Sequence, residues 1–595
     1  MRDHRATGLF APCTVIRRDT PDGMVLTSGL APAPAPDTVI AMLDHAAATV
    51  PDRVFLAERD GAGWRRVTYA QAAATAGHMA RNLMARGLDA ERPLAILSDN
   101  AINHALLALG AMAAGVPVAQ ISPAYARFAD LAKLDHIFAA LTPGLVYAAD
   151  ETAFGAALDL AARAGIATAT DADIADLAAP ADGPLPAIGP DTVAKVLFTS
   201  GSTNLPKGVI TTHRMMCSNQ EALAQIWPFL AEEAPVMVDW LPWNHVFGGS
   251  FITNFVLRHR GTLHIDAGRP VAPLIDRTLE NLRDIAPTVY CNVPRGFDLL
   301  VRALDQDDAL AARFFSRLRF VFSAGAALPD NLWQRLIALA ERHAGRAVPV
   351  ISGWGATETA PCVTAIHFDG AGSGNIGVPI PGAELKFTPT GDRWEMRVRG
   401  PMVTPGYWRR SDLTAQAFDA DGFYLIGDAG RLADPDDPSR GILFDGRVVE
   451  DFKLSTATWV NVGRLRLAAI AAASPAIEDA VVTGHDRDEI GLLLFPSLAG
   501  CRRLCDAPDA GLAELAAHPA LRDHLRIALA RPGRDGGSST RIARALLLTE
   551  PPSAERGEIT DKGYLNQRVI LSGRSQAVDR LYADPSDSDV IRIET

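Results

Sequence analysis

Leu197-Phe-Thr-Ser-Gly-Ser-Thr-Asn-Leu-Pro-Lys-Gly-Val209 begins as an apolar strand, continues as a loop dense in hydroxyls and glycine, and closes on a lysine. Hydroxyls and backbone N–H groups can wrap phosphate oxygens, Gly201 and Gly208 permit close approach, and Lys207 supplies a point charge. This is phosphate-loop chemistry at the end of a strand. It is not the nucleotide loop G-x-x-x-x-G-K-[ST], because Pro206 precedes the lysine and Gly208 follows it. A motor or kinase reading therefore loses its main support.

Outward from this loop, apolar runs of strand length (93–98, 116–121, 144–148, 193–199, 237–241, 262–266, 288–292, 320–323, 348–352) alternate with Ala- and Leu-rich helical stretches. Such alternation predicts an α/β fold of parallel sheets covered by helices. Helical periodicity starts at 38–50, after the stiff Ala-Pro run of 31–37, so residues 1–37 read as a leader and linker draped on a large domain of residues 38–446. After about residue 375, Gly- and Pro-punctuated segments such as 377–382 and 394–400 predict a small antiparallel β unit within that domain. Residues 447–595 again alternate strands (480–483, 490–495, 544–548) with helices (464–473, 512–530), predicting a small α+β C-terminal domain.

The chain has 595 residues, enough for several folding units, and its 48% hydrophobic and 21% charged content is that of an ordinary globular protein. Its formal charge of -12, with no long basic run, argues against nucleic acid as a partner, so any anion site has to be built locally. Cysteines at 13, 217, 291, 362, 501 and 505 are too sparse for a disulfide framework. The first 36 residues contain no uninterrupted apolar core, and the most apolar window, 105–119, is short and broken by Gly and Pro. These features predict a cytoplasmic protein without membrane insertion.

The phosphate loop resembles the S-G-S/T-T-G-x-P-K-G signature of the adenylate-forming superfamily: acyl- and aryl-CoA synthetases, firefly luciferases and peptide-synthetase adenylation domains. Asn204 stands where Gly is usual. The resemblance implies that Thr199, Ser200, Gly201, Ser202, Thr203 and Lys207 hold the phosphates of ATP. Gly353-Trp-Gly-Ala-Thr-Glu-Thr359 resembles the family's G-Y-G-x-T-E segment. There Trp354 and Gly355 would meet adenine, Thr357 the α-phosphate, and Glu358 Mg2+, in keeping with a flat apolar face for a base and a carboxylate for a hard cation. Ser323-Ala-Gly-Ala-Ala-Leu-Pro329 resembles the adenine-binding stretch, with Gly325 and Ala326 at its centre, and Tyr424-Leu-Ile-Gly-Asp428 resembles Y-x-T-G-D, whose Asp takes the ribose hydroxyls. Gly446-Arg447 with Lys453 resembles the start of the family's small domain. On that resemblance Arg447 meets ribose or phosphate, Val449 occupies the hinge on which a mobile small domain turns, and Lys562 in Gly557-Glu-Ile-Thr-Asp-Lys-Gly-Tyr564 bridges the substrate carboxylate and the α-phosphate.

Several stretches resemble feruloyl-CoA synthetases, which activate hydroxycinnamates: Leu241-Pro-Trp-Asn-His-Val-Phe-Gly-Gly249, Tyr290-Cys-Asn-Val-Pro294, Glu450-Asp-Phe-Lys-Leu454 and Thr458-Trp-Val460. This resemblance implies that His245 lines the carboxylate site, that Trp243, Phe247 and Asn292 belong to the acyl pocket, and that Lys453 and Ala457 lie by the path of coenzyme A, Ala457 replacing a usual Gly. The implied activity is an acid–thiol ligase consuming ATP and CoA with Mg2+, through an acyl-adenylate. Three alternatives stay open on the residues alone: an adenylating enzyme that loads a carrier protein, a ligase for a fatty or other aryl acid, and a noncatalytic nucleotide-binding protein.

Overall fold

The computed structural model describes residues 8–127, 130–200, 205–391, 393–448, 450–456, 458–532, 537, 539–553, 556–559, 565–585 and 587–593. Two compact units emerge: residues 1–389, 396–426 and 432–443 form the first, and 390–395, 427–431 and 444–595 the second.

The first unit contains the predicted α/β layers. One six-stranded sheet runs in the order Pro206–Thr212, Val193–Ser200, Val118–Gln120, Leu94–Leu97, Leu145–Ala148, Ala167–Thr170. All its neighbours are parallel except the edge strand Pro206–Thr212, which pairs antiparallel with Val193–Ser200. The interior strands Leu94–Leu97 and Leu145–Ala148 are buried at every position, as expected when helices cover both faces. A second sheet places Val289–Asn292, Phe320–Ser323 and Val350–Gly355 in parallel and then turns antiparallel through Cys362–Ala365 and Val378–Pro379. A third joins Val236–Asp239, Thr262–Ile265 and Val54–Asp60 in parallel, with Gly63–Thr68 antiparallel at its edge.

Residues 8–37, expected to drape on the surface as leader and linker, do more than that. Val15–Thr20 and Gly23–Ser28 form a hairpin that pairs with Glu384–Thr390 and extends a six-stranded sheet completed by Arg393–Arg399, Tyr424–Leu432 and Ile442–Arg447. The reason is burial of one strand only: Met24, Val25 and Leu26 are in the core, whereas the four central residues of Val15–Thr20 are exposed, so no apolar alternation marks the pair in sequence. The first helix is Val39–Thr49, capped by the Thr38 side chain on the Ala41 N–H.

The second unit holds a sheet in the order Ile477–Thr483, Ile490–Pro496, Ile542–Leu547, Ile591–Arg592. The helical stretch expected over 512–530 is two helices, Leu512–Ala517 and Pro519–Leu529, because Pro519 ends the first and opens the second. Cys501 and Cys505 lie on the helix Leu498–Cys505, buried in this unit's core as free thiols. Among the described residues no helix is long and apolar enough to cross a membrane.

Candidate active site

The strands Val193–Ser200 and Pro206–Thr212 pair antiparallel, with Lys207 opposite Thr199 and Pro206 opposite Ser200. Lys207 is therefore on a strand, not at a helix start. The Thr199 hydroxyl is buried and makes no hydrogen bond among the described residues, which leaves it for a ligand oxygen. Gly201, Ser202 and Thr203 lie outside the described residues, as does Asn204.

Along the outer edge of Pro206–Thr212 runs the segment 404–408. The Ile210 N–H donates to the Gly406 carbonyl at 3.1 Å and the Trp408 N–H to that of Gly208 at 2.8 Å. Thr404 ties this segment to its surroundings: its hydroxyl donates to the Ile210 carbonyl at 2.7 Å and its N–H to the Glu358 carbonyl at 2.8 Å. Gly208 is needed here because a Cβ would come within 2.6 Å of Val196 Cγ1. The strand Val350–Gly355 leads into the tight turn Thr357–Thr359 that carries Glu358. A Cβ at Gly355 would collide with the Pro361 carbonyl, so this return of the chain requires glycine.

These elements bring together four side chains. The Lys207 ammonium donates to the Tyr407 hydroxyl at 2.6 Å, and that hydroxyl donates to Glu358 Oε1 at 3.0 Å. The Tyr424 hydroxyl lies 3.2 Å from that of Tyr407, and Lys207 Nζ is 3.8 Å from Glu358 Oε1. Burial lowers the Lys207 pKa, against the pull of Glu358, and raises those of Tyr407 and Tyr424, so both phenols stay protonated donors. Tyr407 is a residue that the motif reading missed. Its signal is weak, a lone Gly-Tyr pair 200 positions from the lysine it touches.

Trp354 is buried at 8% exposure, so most of its ring is covered by protein, whereas Gly325 and Ala326 are exposed in the loop after Phe320–Ser323. The latter loop is held beside Asn292, whose carbonyl accepts from the Ala324 N–H at 3.3 Å. The Asn292 side chain, expected to face an acyl group, is 1% exposed and turned inward: its amide donates to the Tyr290 hydroxyl at 3.1 Å and its oxygen accepts from the Val293 N–H at 2.8 Å. Trp243 is likewise 2% exposed, its ring packed edge-on against His104 at 5.1 Å. It supports the loop from within. Phe247 packs on Phe251 and Phe322 and opens the π-helical turn Phe247–Ile252, while His245 between them is half-buried.

In the second unit, Asp428 is buried and Arg447 Nε lies 3.4 Å from its Oδ1. Lys453 stands over the half-exposed Trp459 ring at 5.0 Å. Val449, Ala457 and Lys562 lie outside the described residues. Ile559 and Leu565 pair in an isolated antiparallel bridge. Burial pushes the Glu558 carboxyl up, but the Arg574 guanidinium at 2.6 Å and the Ser553 N–H more than offset this, holding it below its ordinary value.

Residues fitting a magnesium ion are present in part. Glu358 offers a hard carboxylate beside the phosphate loop, and no group of three or more His, Cys, Asp or Glu among the described residues could hold a metal alone. One carboxylate plus nucleotide phosphates is a common magnesium shell.

Residues 43–408 match the model of the family described as AMP-binding enzyme. A 4-coumarate–CoA ligase-like 9 of Oryza sativa subsp. japonica is 26% identical over 78% of this chain and 84% of its own length. The long-chain-fatty-acid–CoA ligase FadD15 of Mycobacterium bovis is 25% identical over 92% of this chain and 97% of its own. Among solved structures, ATP-bound MatB from Rhodopseudomonas palustris superposes with a TM-score of 0.71 at 22% identity, covering 90% of this chain and 99% of that one. The adenylation domain of a carboxylic acid reductase from Segniliparus rugosus, solved with AMP and a carboxylic acid, gives 0.72 at 20% identity, covering 92% and 94%. These structural likenesses establish a shared fold, and with the family match over most of the first unit, the chain belongs to the AMP-binding enzyme family.

Proposed function

We propose that the protein is an ATP-dependent carboxylic acid–CoA ligase whose acid is a hydroxycinnamate. The observation that carries the ligase reading is the Lys207–Tyr407–Glu358 cluster at the foot of the phosphate loop, which pairs a cation for phosphate with a carboxylate for Mg2+. The CoA ligase names of relatives that span most of the chain support it.

A carboxylate is a poor acyl donor because its leaving group would be oxide. In the proposed reaction a carboxylate oxygen attacks the α-phosphorus of ATP, the bond to pyrophosphate breaks, and an acyl-adenylate results. Lys207 and Thr199 hold the departing phosphates, Lys562 bridges the two reacting anions, and Glu358 would hold Mg2+, which offsets phosphate charge when bound. Asp428 and Arg447 hold the ribose. The CoA thiol then attacks the acyl carbon, releasing AMP and a proton. Because Lys562 would stand where the thiol must enter, the small domain turns on Val449 between the steps, placing Lys453 and Ala457 by the thiol path.

The hydroxycinnamate assignment rests on the Trp243–Phe247 and Tyr290–Pro294 stretches. A flat acid needs an apolar slot, and its phenol, once buried, a polar partner. Asn292 is turned inward onto Tyr290 and Val293, so the assignment draws on the resemblance of these stretches and on Phe247 rather than on that amide. A fatty acid is the second reading, favoured by the FadD15 relative matching 92% of the chain. Acid-dependent ATP–pyrophosphate exchange with ferulate, p-coumarate, cinnamate and octanoate tests the assignment. Hydroxycinnamates are expected to rank first, and octanoate ranking first would leave only the broader ligase.

A further inference from the structure

Lys195 sits in the middle of the strand Val193–Ser200, 3% exposed, with no carboxylate partner among the described residues. Its ammonium donates to Gln120 Oε1 at 3.1 Å and to the Gly249 carbonyl in the π-helical turn. Gln120 passes the contact on: its amide lies 2.8 Å from His104 Nε2, while His104 Nδ1 faces the Asp99 carbonyl at 3.2 Å. A carbonyl can only accept, so the imidazole carries its proton on Nδ1 and accepts from Gln120 on Nε2. The His104 ring then meets Trp243. Trp243 lies against Gly249, where a Cβ would collide with the Trp243 carbonyl, and the Gly249 N–H donates to the His245 carbonyl at 2.8 Å. The contacts close a ring from Lys195 through Gln120, His104, Trp243 and Gly249 back to Lys195.

We infer that Lys195 is a positioning residue, the cationic pin of a buried clamp that fixes the His245 loop for binding of the acid. The role of that loop rests on the ligase reading above; the clamp itself does not. Burying an ammonium without a counter-ion is costly, and here its charge strengthens a bond to a carbonyl of the turn that follows His245. π-helical turns are rare insertions that a continuous α-helix would outcompete without such support. Burial lowers the Lys195 pKa to about 7. The other titratable groups facing it, His104 and His213, are lowered by burial to about 4 and stay neutral above pH 6. As pH rises through about 7 the pin loses its charge, so the clamp loosens on the alkaline side.

Hydrogen exchange of amides 245–253, with Michaelis constants measured from pH 6 to 9, tests this on the full chain. Lys195→Met should speed exchange in that segment by about tenfold and raise KM for the acid about fivefold, leaving KM for ATP within about twofold. In the wild type, KM for the acid should rise with pH through about 7. Gln120→Glu, which places a carboxylate against the ammonium while giving up the amide donor to His104, should move that rise upward by about one pH unit. Unchanged exchange in Lys195→Met, an equal rise in both Michaelis constants, or an inflection that Gln120→Glu leaves in place would overturn the proposal. If no acid supports pyrophosphate exchange in the wild type, the ligase reading falls, and the exchange of 245–253 alone decides the clamp.

Discussion

The Tyr407 hydroxyl stands between Lys207 and Glu358, accepting from the ammonium at 2.6 Å and donating to the carboxylate at 3.0 Å. It keeps the two charges 3.8 Å apart, in hydrogen-bonded contact through one oxygen. At that separation the two form a loose ion pair, and a directly bonded one would be harder for phosphate and metal to break. With the phenol between them, each keeps capacity for a ligand.

Removing that oxygen should let Lys207 close on Glu358. Tyr407→Phe is expected to lower the rate of acid-dependent pyrophosphate exchange by about tenfold and to raise the Mg2+ concentration for half-maximal rate, with a stability loss of about 1 kcal/mol for the hydrogen bond. A magnesium titration of the exchange rate checks it; an unchanged curve would make the tyrosine a packing residue only.

Glu358 and Asp428 should separate by kinetic signature. Glu358→Gln keeps the shape and removes the charge that attracts the metal, so turnover should fall; Asp428→Ala removes ribose hydrogen bonds, so KM for ATP should rise. Steady-state kinetics with varied ATP would reject these assignments if Glu358→Gln left both constants at their wild-type values.

The adenylate-forming signatures are legible because their chemistry is local: Glu358, Asp428 and Lys207 each sit in a contiguous motif. Tyr407 and Lys195 are not legible in that way. Tyr407 reaches Lys207 only because 404–408 lies along Pro206–Thr212, a pairing between distant segments that no periodicity records. Lys195 is visible in sequence as one charge inside an apolar strand, but its partners come from 120 and 249. The antiparallel strand Pro206–Thr212 was hidden for another reason: its Pro and Gly read as loop, and an edge position tolerates both.

The half-reactions should come apart at Lys562. Lys562→Ala is expected to reduce adenylation by about 100-fold or more while leaving thioester formation from supplied acyl-adenylate nearly intact. Single-turnover assays of each step decide it, and equal losses in both would withdraw the role given to this lysine.

Stability should fall on mild acidification. Burial lowers His104, His213, His264 and His367 to about 4 and His259 to about 3, so below pH 6.5 the unfolded chain binds protons that the folded chain does not. Each such histidine contributes a slope of about 1.4 kcal/mol per pH unit between 6.5 and its folded value. Burial raises the Asp239 and Asp266 carboxyls, which works in the opposite sense but with fewer groups. Thermal melting should therefore show a lower Tm at pH 5 than at pH 7, and an equal or higher Tm at pH 5 would contradict the neutral buried imidazoles.

The overall reaction is tested most directly by mass-spectrometric detection of the CoA thioester and AMP formed from ferulate, ATP and CoA with Mg2+, beside parallel reactions with cinnamate and octanoate. Feruloyl-CoA and AMP should appear in equal amounts, formed faster than cinnamoyl-CoA and well ahead of octanoyl-CoA. AMP release without thioester from any of the three acids would contradict CoA as the acceptor, and octanoyl-CoA forming faster than feruloyl-CoA would contradict the hydroxycinnamate.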